Sequence, residues 1–143
     1  MKIALSTQPD PRDVAVIRSG LDDYSRQIFP ELPGVDDDLN FTVIARDGDK
    51  NIVAGLVGSA YWNAMHIALL WVDDRQRGKQ LGSQLLARAE TLALESGYGI
   101  VHLDTVNARD FYIKNGYEVF GELTDQPRGE SLYFMQKRLT DVE

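Results

Sequence analysis

Hydrophobic positions recur along the chain with two periods, one typical of strands and one typical of helices. Alternation of apolar and polar residues, or a short apolar run between turn residues, predicts a β-strand. Seven segments have such a pattern: 2–7, 41–46, 52–62, 66–72, 99–104, 117–123 and 131–138. Apolar residues three and four apart, together with capping and stop signals, predict helices over 10–29, 81–96 and 107–115.

The order of these segments predicts an α/β fold with a mixed sheet. Segments 41–46, 52–62 and 66–72 follow one another through short turns and should be antiparallel. A helix then separates the strand ending at Val72 from strand 99–104, so these two strands should be parallel neighbours. We expect six to seven strands flanked by about four helices, in a single domain over residues 1–143.

Composition and charge exclude several classes of function. The 143 residues contain no cysteine, and no cluster of His, Asp and Glu has metal-ligand spacing, so no metal is expected. A formal net charge of -7 argues against a nucleic-acid partner. No apolar run approaches the roughly 18–20 residues of a membrane span, and the N-terminus lacks a signal sequence. We therefore expect a cytoplasmic protein with no membrane partner.

The segment after Val72 combines glycine with positive charge in an otherwise acidic chain. Arg75, Arg77 and Lys79 lie between an apolar strand and a helix that begins near Leu81. A strand, a glycine loop and a helix present free N–H groups and a positive helix end to an anion. The segment predicts a phosphate site, although it lacks the P-loop and dinucleotide motifs. The alternative is an ordinary strand-to-helix turn with solvated charges.

Two stretches carry a resemblance to a known family. The sequence Arg77-Gly78-Lys79-Gln80-Leu81-Gly82 resembles Gln/Arg-x-x-Gly-x-Gly/Ala, the pyrophosphate loop of the GNAT superfamily of N-acetyltransferases, with Gln80 in the inner glycine position. Residues 107–117 resemble a second GNAT signature, an Asn, an aromatic-Tyr pair and a Lys-x-Gly-Phe/Tyr ending. The resemblance implies a splayed sheet that holds acetyl-CoA, as co-substrate, between strands 66–72 and 99–104.

The resemblance also implies which residues bind acetyl-CoA. They come from the end of strand 66–72, the glycine loop and the second signature. The implied set is Leu70, Trp71, Val72, Arg77, Gly78, Lys79, Gln80, Leu81, Gly82, Ser83, Asn107, Phe111, Tyr112 and Lys114.

Three residues are candidates for the chemistry. Tyr112 lies where many family members place a tyrosine general acid, and a phenol is protonated at neutral pH; packing in the core is the alternative. His66 is a candidate base, since imidazole exchanges protons near neutral pH, but a lone strand histidine can be purely structural. Asp104 could orient the amine or cap the following helix. Water-mediated or unassisted deprotonation of the amine also remains open.

The resulting hypothesis is an N-acetyltransferase that acts on a primary amine by direct attack. The acceptor stays open between small molecules and peptide or protein amines, because variable loops recognise it. The alternative is an acyl-CoA-binding module without turnover; a third reading is a nucleotide-binding α/β protein. An exposed last strand could pair between two subunits and form a homodimer.

Overall fold

The computed structural model describes residues 1–32 and 38–139. The chain divides into two compact units, residues 1–36 and 37–143, so the single domain remains a prediction. The first unit contains helix α1, Pro11–Ile28. Its N-cap Asp10 accepts the Arg12 N–H at 2.9 Å, and Pro11 takes the first turn, where no N–H is needed.

The predicted strand over residues 2–7 is wrong. Residues 1–6 have no regular secondary structure, and no described strand pairs with them. The apolar alternation of Ile3 and Leu5 is therefore insufficient, because a strand is stabilised by hydrogen bonds to a neighbour.

The second unit contains a mixed sheet of six strands, in the order β1-β2-β3-β4-β6-β5. All neighbouring strands are antiparallel except β3 and β4, which are parallel as predicted. With α1, the described residues thus contain three α-helices, where about four were expected. The elements of this unit are β1 Leu39–Arg46, β2 Ile52–Tyr61, β3 Ala64–Val72, α2 Leu81–Glu95, β4 Ile100–Thr105, α3 Arg109–Lys114, β5 Glu118–Thr124 and β6 Ser131–Arg138.

Strands β3 and β4 pair only at their beginnings. Three residue pairs connect them, Ala64–Ile100, Met65–Val101 and His66–His102. Beyond His66, β3 has no partner on β4, although it stays paired with β2 as far as Val72. A bulge in β3 at Ala68 accompanies this divergence, since Ile67 and Leu69 face consecutive residues of β2. The predicted splay is confirmed, and it leaves an open gap between the two strands.

Helix α2 covers one face of the sheet and forms the core with it. Leu85, Leu86 and Ala89 of α2 are buried against Met65 of β3 and Val101 of β4. We call this the core face. Side chains alternate along a strand, so His66 and His102 lie on the opposite, second face. Near the gap, the core face of the sheet therefore carries buried apolar side chains, and the second face carries the two histidines.

The last strand is not at the edge of the sheet. Strand β6 lies between β4 and β5, because the β5–β6 hairpin folds back and fills the position next to β4. The expectation of an exposed last strand is wrong, because β5 forms the edge at this end of the sheet. A homodimer remains a prediction, but it cannot form by pairing of β6.

Candidate functional site

A cavity of about 440 Å³ lies where β3 ends and α2 begins. It is bounded by the end of β3, the glycine loop, the first turn of α2 and helix α3. Its lining residues are Leu70, Val72, Gln76, Arg77, Gly78, Gln80, Leu81, Gly82, Ser83, Ala108, Phe111 and Tyr112. All except Gln76 and Ala108 belong to the set predicted from sequence, so folding brings both sequence motifs into one cavity.

The loop before α2 has an unusual backbone. Gly78 has a φ of +83°, and a Cβ there would meet nothing within 4 Å. Glycine is therefore favoured at this position by the backbone conformation and not by a lack of space. Gln80 also has a positive φ, 60°, in the position where the family pattern has glycine. A side chain in this left-handed region costs about 1 kcal/mol or more relative to glycine. The loop therefore keeps its glycine-type conformation although one glycine is absent.

The first turn of α2 offers unoccupied hydrogen-bond donors. Gln80, the N-cap residue, makes no side-chain capping bond. Within the described parts of the chain, no acceptor takes the backbone N–H groups of Leu81, Gly82 or Ser83. Gly82 is packed closely, since a Cβ there would lie 3.1 Å from Cζ of Phe111. These amides open into the cavity at the positive end of the helix, where an anion is stabilised.

The cationic side chains of the loop are held by neighbouring acceptors. Arg77 pairs with Asp74 at 3.0 Å and Arg75 with Asp73 at 3.1 Å. Lys79, which does not line the cavity, donates to Gln76 Oε1 at 2.9 Å. The contacts around Arg77 are exposed, so a bound anion can compete for its guanidinium.

The free edge of β3 directs backbone groups into the gap. The N–H of Asp73 donates to the Val53 carbonyl of β2 at 2.8 Å. Backbone groups of an extended strand alternate sides, so those of Leu70 and Val72 face the gap and those of Trp71 face β2. The side chain of Trp71 lies on the second face and is 52% exposed. Leu70 and Val72 thus combine cavity-lining side chains with free backbone groups.

Tyr112 is the titratable side chain of the cavity with the strongest burial. It is 6% exposed and packs edge-to-face against Phe111, with ring centres 5.0 Å apart, and against Tyr117. No described residue forms a hydrogen bond with its hydroxyl. Burial raises the pKa of Tyr112, so the phenol is fully protonated at neutral pH and can donate a proton into the cavity.

Six predicted site residues lie outside the cavity lining, and two of them, Trp71 and Lys79, are described above. Asn107 is exposed before α3, and Lys114 is exposed near the end of that helix. His66 and Asp104 lie on the second face of the sheet. The capping role considered for Asp104 is wrong, because the N-cap residue of α3 is Ala108 and the helix has no side-chain capping bond. In the turn before the helix, Thr105 Oγ1 accepts the Ala108 N–H at 3.1 Å.

Sequence reasoning missed His102, the direct neighbour of His66. Their ring centres are 5.0 Å apart. Burial first, and then the nearby His66, lower the pKa of His102, while Asp104 acts in the opposite direction. The sequence did offer one indication, because its two histidines lie on the two strands that are predicted to be parallel neighbours. Only the register shows that they meet.

The described part of the chain contains no group of three or more His, Cys, Asp or Glu residues that could hold a metal ion. It also contains no helix with the length and apolar character needed to cross a membrane.

Comparisons with known proteins agree with this geometry. The family model described as an acetyltransferase (GNAT) domain matches residues 37–119. Acetyltransferase Atu2258 of Agrobacterium fabrum is 31% identical over 140 residues, which cover 96% of this chain and 99% of that protein. Blasticidin-S acetyltransferase of Streptomyces morookaense is 38% identical over 92 residues, 62% of this chain and 67% of that protein. A crystal structure of an acetyltransferase from Bacillus cereus has a TM-score of 0.80 at 28% identity, covering 95% of this chain and 98% of the other. The chain therefore belongs to the GNAT family of acetyltransferases.

Proposed function

We propose that this enzyme transfers the acetyl group of acetyl-CoA to a primary amine by direct attack. As a GNAT acetyltransferase it is an acyltransferase that acetylates an acceptor with acetyl-CoA. The observation that carries the finer proposal is the gap beside β3. Donor-rich backbone at α2 and the protonated hydroxyl of Tyr112 belong to one cavity at that gap.

Different groups of the cavity would bind the pyrophosphate and the pantetheine arm of acetyl-CoA. The N–H groups of Leu81, Gly82 and Ser83 would bind the pyrophosphate, with Arg77 as an additional cation. The pantetheine arm would lie along the free edge of β3, where its amides can pair with Leu70 and Val72 as a neighbouring strand does. This arrangement aims the thioester into the gap.

The transfer then needs two protons removed from the acceptor ammonium and one proton supplied to the thiolate. His66 takes a proton from the acceptor ammonium, and the freed lone pair attacks the thioester carbonyl. A backbone N–H of the β3 edge stabilises the oxyanion, and the C–S bond breaks as the carbonyl re-forms. Tyr112 donates its proton to the departing thiolate. The second proton of the attacking nitrogen leaves through solvent, from which the Tyr112 phenolate regains a proton. Acid and base act from opposite faces of the sheet, on the two sides of the gap.

The proposed acceptor is a small-molecule amine. A relative with 38% identity is an acetyltransferase of blasticidin S, a small molecule. The negative charge of this chain also favours a cationic acceptor over an acidic one. Peptide and protein amines are the competing acceptors.

A thiol-release assay tests this proposal directly. Acetyl-CoA is mixed with the enzyme and a panel of small-molecule amines, peptides and matched alcohols, and free CoA is measured over time. We expect release that depends on the amine, with an N-acetylated product of the correct mass. CoA binding without release for any acceptor would instead support the non-catalytic acyl-CoA-binding module. ATP binding as tight as CoA binding would support the nucleotide-binding alternative.

Gln80→Gly tests the loop. The change removes the side chain of a residue with left-handed backbone conformation from the cavity wall, so that a phosphate can approach the backbone. We expect CoA to bind a few-fold more tightly by calorimetry. The free energy of unfolding in urea should rise by up to about 1 kcal/mol, since relief of strain exceeds the added chain entropy. Weaker CoA binding in this variant would mean that the Gln80 side chain itself contacts the cofactor.

A further inference from the structure

A row of polar side chains crosses the second face of the sheet at the place where β3 and β4 separate. Directly opposed residues on neighbouring strands share a face, and the register connects five of them in sequence across the sheet. The row consists of Ser59 on β2, His66 on β3, His102 on β4, Gln136 on β6 and Glu118 on β5.

The two histidines are the last residue pair before the gap opens. The ring centres are 5.0 Å apart, which brings an N–H···N hydrogen bond of about 2.9 Å between the ring edges within reach, although these two side chains do not form one in this structure. The interplanar angle of 34° leaves the rings tilted rather than stacked face to face. His66 therefore has an imidazole as its direct neighbour on the side of the gap.

We propose that His102 is a positioning residue for deprotonation of the acceptor, because its neutral ring accepts a hydrogen bond from the imidazolium that forms on His66. The inference rests on the proposed role of His66 as base. The ammonium N–H bond breaks, the proton moves to the free ring nitrogen of His66, and the other ring N–H of that imidazolium donates to His102. The proton on His66 leaves to solvent after the acetyl group has been transferred.

The charges around His102 are compatible with a neutral acceptor ring. Burial and the neighbouring His66 lower the pKa of His102, so it is uncharged at neutral pH when His66 takes up a proton. Asp104, two residues along β4, favours positive charge on this face. Glu118 is held by Gln136, whose Nε2 donates to Glu118 Oε1 at 3.1 Å. Arg138 is the cation that the register places on this face of β6, opposite Ile100.

The test is the pH dependence of kcat/KM in His102→Phe and His102→Gln. Phenylalanine cannot accept the hydrogen bond, so the imidazolium of His66 loses that stabilisation. We expect the acidic limb to move down by about one pH unit and the plateau to fall about threefold to tenfold. Glutamine can accept a hydrogen bond without titrating, and we expect it to restore most of both effects.

Ser59→Ala is the matched control, since Ser59 opposes His66 from β2 and should leave the limb unchanged. CoA affinity and thermal unfolding of each variant report whether the fold is intact. An unmoved limb in His102→Phe, or equal losses in His102→Phe and His102→Gln, would overturn the inference. If His66→Gln keeps the wild-type limb, this inference and the base role of His66 fail together. Amine-dependent thiol release would still support the proposed N-acetyltransferase in every one of these cases.

Discussion

Replacing Tyr112 with phenylalanine is expected to lower kcat by about 10²–10⁴ while the affinity for CoA stays nearly unchanged. The variant keeps the ring that packs between Phe111 and Tyr117 and removes only the hydroxyl. Because proton donation to the thiolate occurs only as the C–S bond breaks, kcat and kcat/KM should fall by similar factors. Steady-state thiol release and calorimetric CoA binding provide the two measurements.

The leaving group distinguishes acid catalysis from loss of packing. An S-aryl thioacetate releases a thiolate that needs no proton, so wild type and Tyr112→Phe should use it at similar rates. Tyr133→Phe is the matched control, because Tyr133 lies outside the cavity and packs under Arg109 at 4.7 Å. A Tyr112→Phe enzyme with wild-type turnover of acetyl-CoA would remove Tyr112 from the mechanism.

Replacing Glu90 with alanine is expected to give the largest loss of stability. Glu90 of α2 accepts hydrogen bonds from Tyr117 Oη at 2.9 Å and from Lys137 Nζ at 2.8 Å. Lys137 also donates to the Asn115 carbonyl at 2.9 Å, so the network joins α2 to the end of α3 and to β6. The Lys137–Glu90 pair is largely shielded, with side chains 28% and 15% exposed.

Alanine would leave the Tyr117 hydroxyl and the Lys137 ammonium without their shared acceptor in a shielded site. We expect the free energy of unfolding in urea to fall by about 2–3 kcal/mol and Tm by roughly 5–10 °C. Glu90→Gln keeps a hydrogen-bond acceptor and should recover part of this loss. Glu95→Ala, at the exposed end of α2, is the control and should change stability by less than about 0.5 kcal/mol. A similarly small effect of Glu90→Ala would contradict a stabilising role for the network.

The position of this network indicates that Glu90→Ala should lower stability without a comparable loss of catalytic activity. The backbone carbonyl of Tyr112 accepts the N–H groups of Asn115 and Tyr117, both at 3.0 Å. Glu90 takes no part in these backbone hydrogen bonds and does not line the cavity. Glu90→Ala should therefore lose stability while retaining most of its turnover at temperatures well below its Tm.

Local sequence patterns were sufficient for most elements of the fold. Alternation in β1 and capping by Asp10 are properties of short segments, so they can be read without knowing the rest of the chain. The glycine loop and Tyr112 were also predictable, because each belongs to a motif of fixed spacing. Asn107 and Lys114 belong to the same second motif, but α3 begins only at Arg109 and both side chains lie outside the cavity lining.

Only the tertiary structure decided the relations between distant segments. The end of β3–β4 pairing after His66, the contact of His66 with His102, and the position of β6 inside the sheet depend on register and strand order. Register is determined by contacts between residues far apart in sequence, which the period of a single segment does not contain. The two sequence motifs therefore led to the glycine loop, to Tyr112 and to the expectation of a splayed sheet. The residue at which β3 and β4 separate, and the histidine pair beside it, follow from how the strands meet.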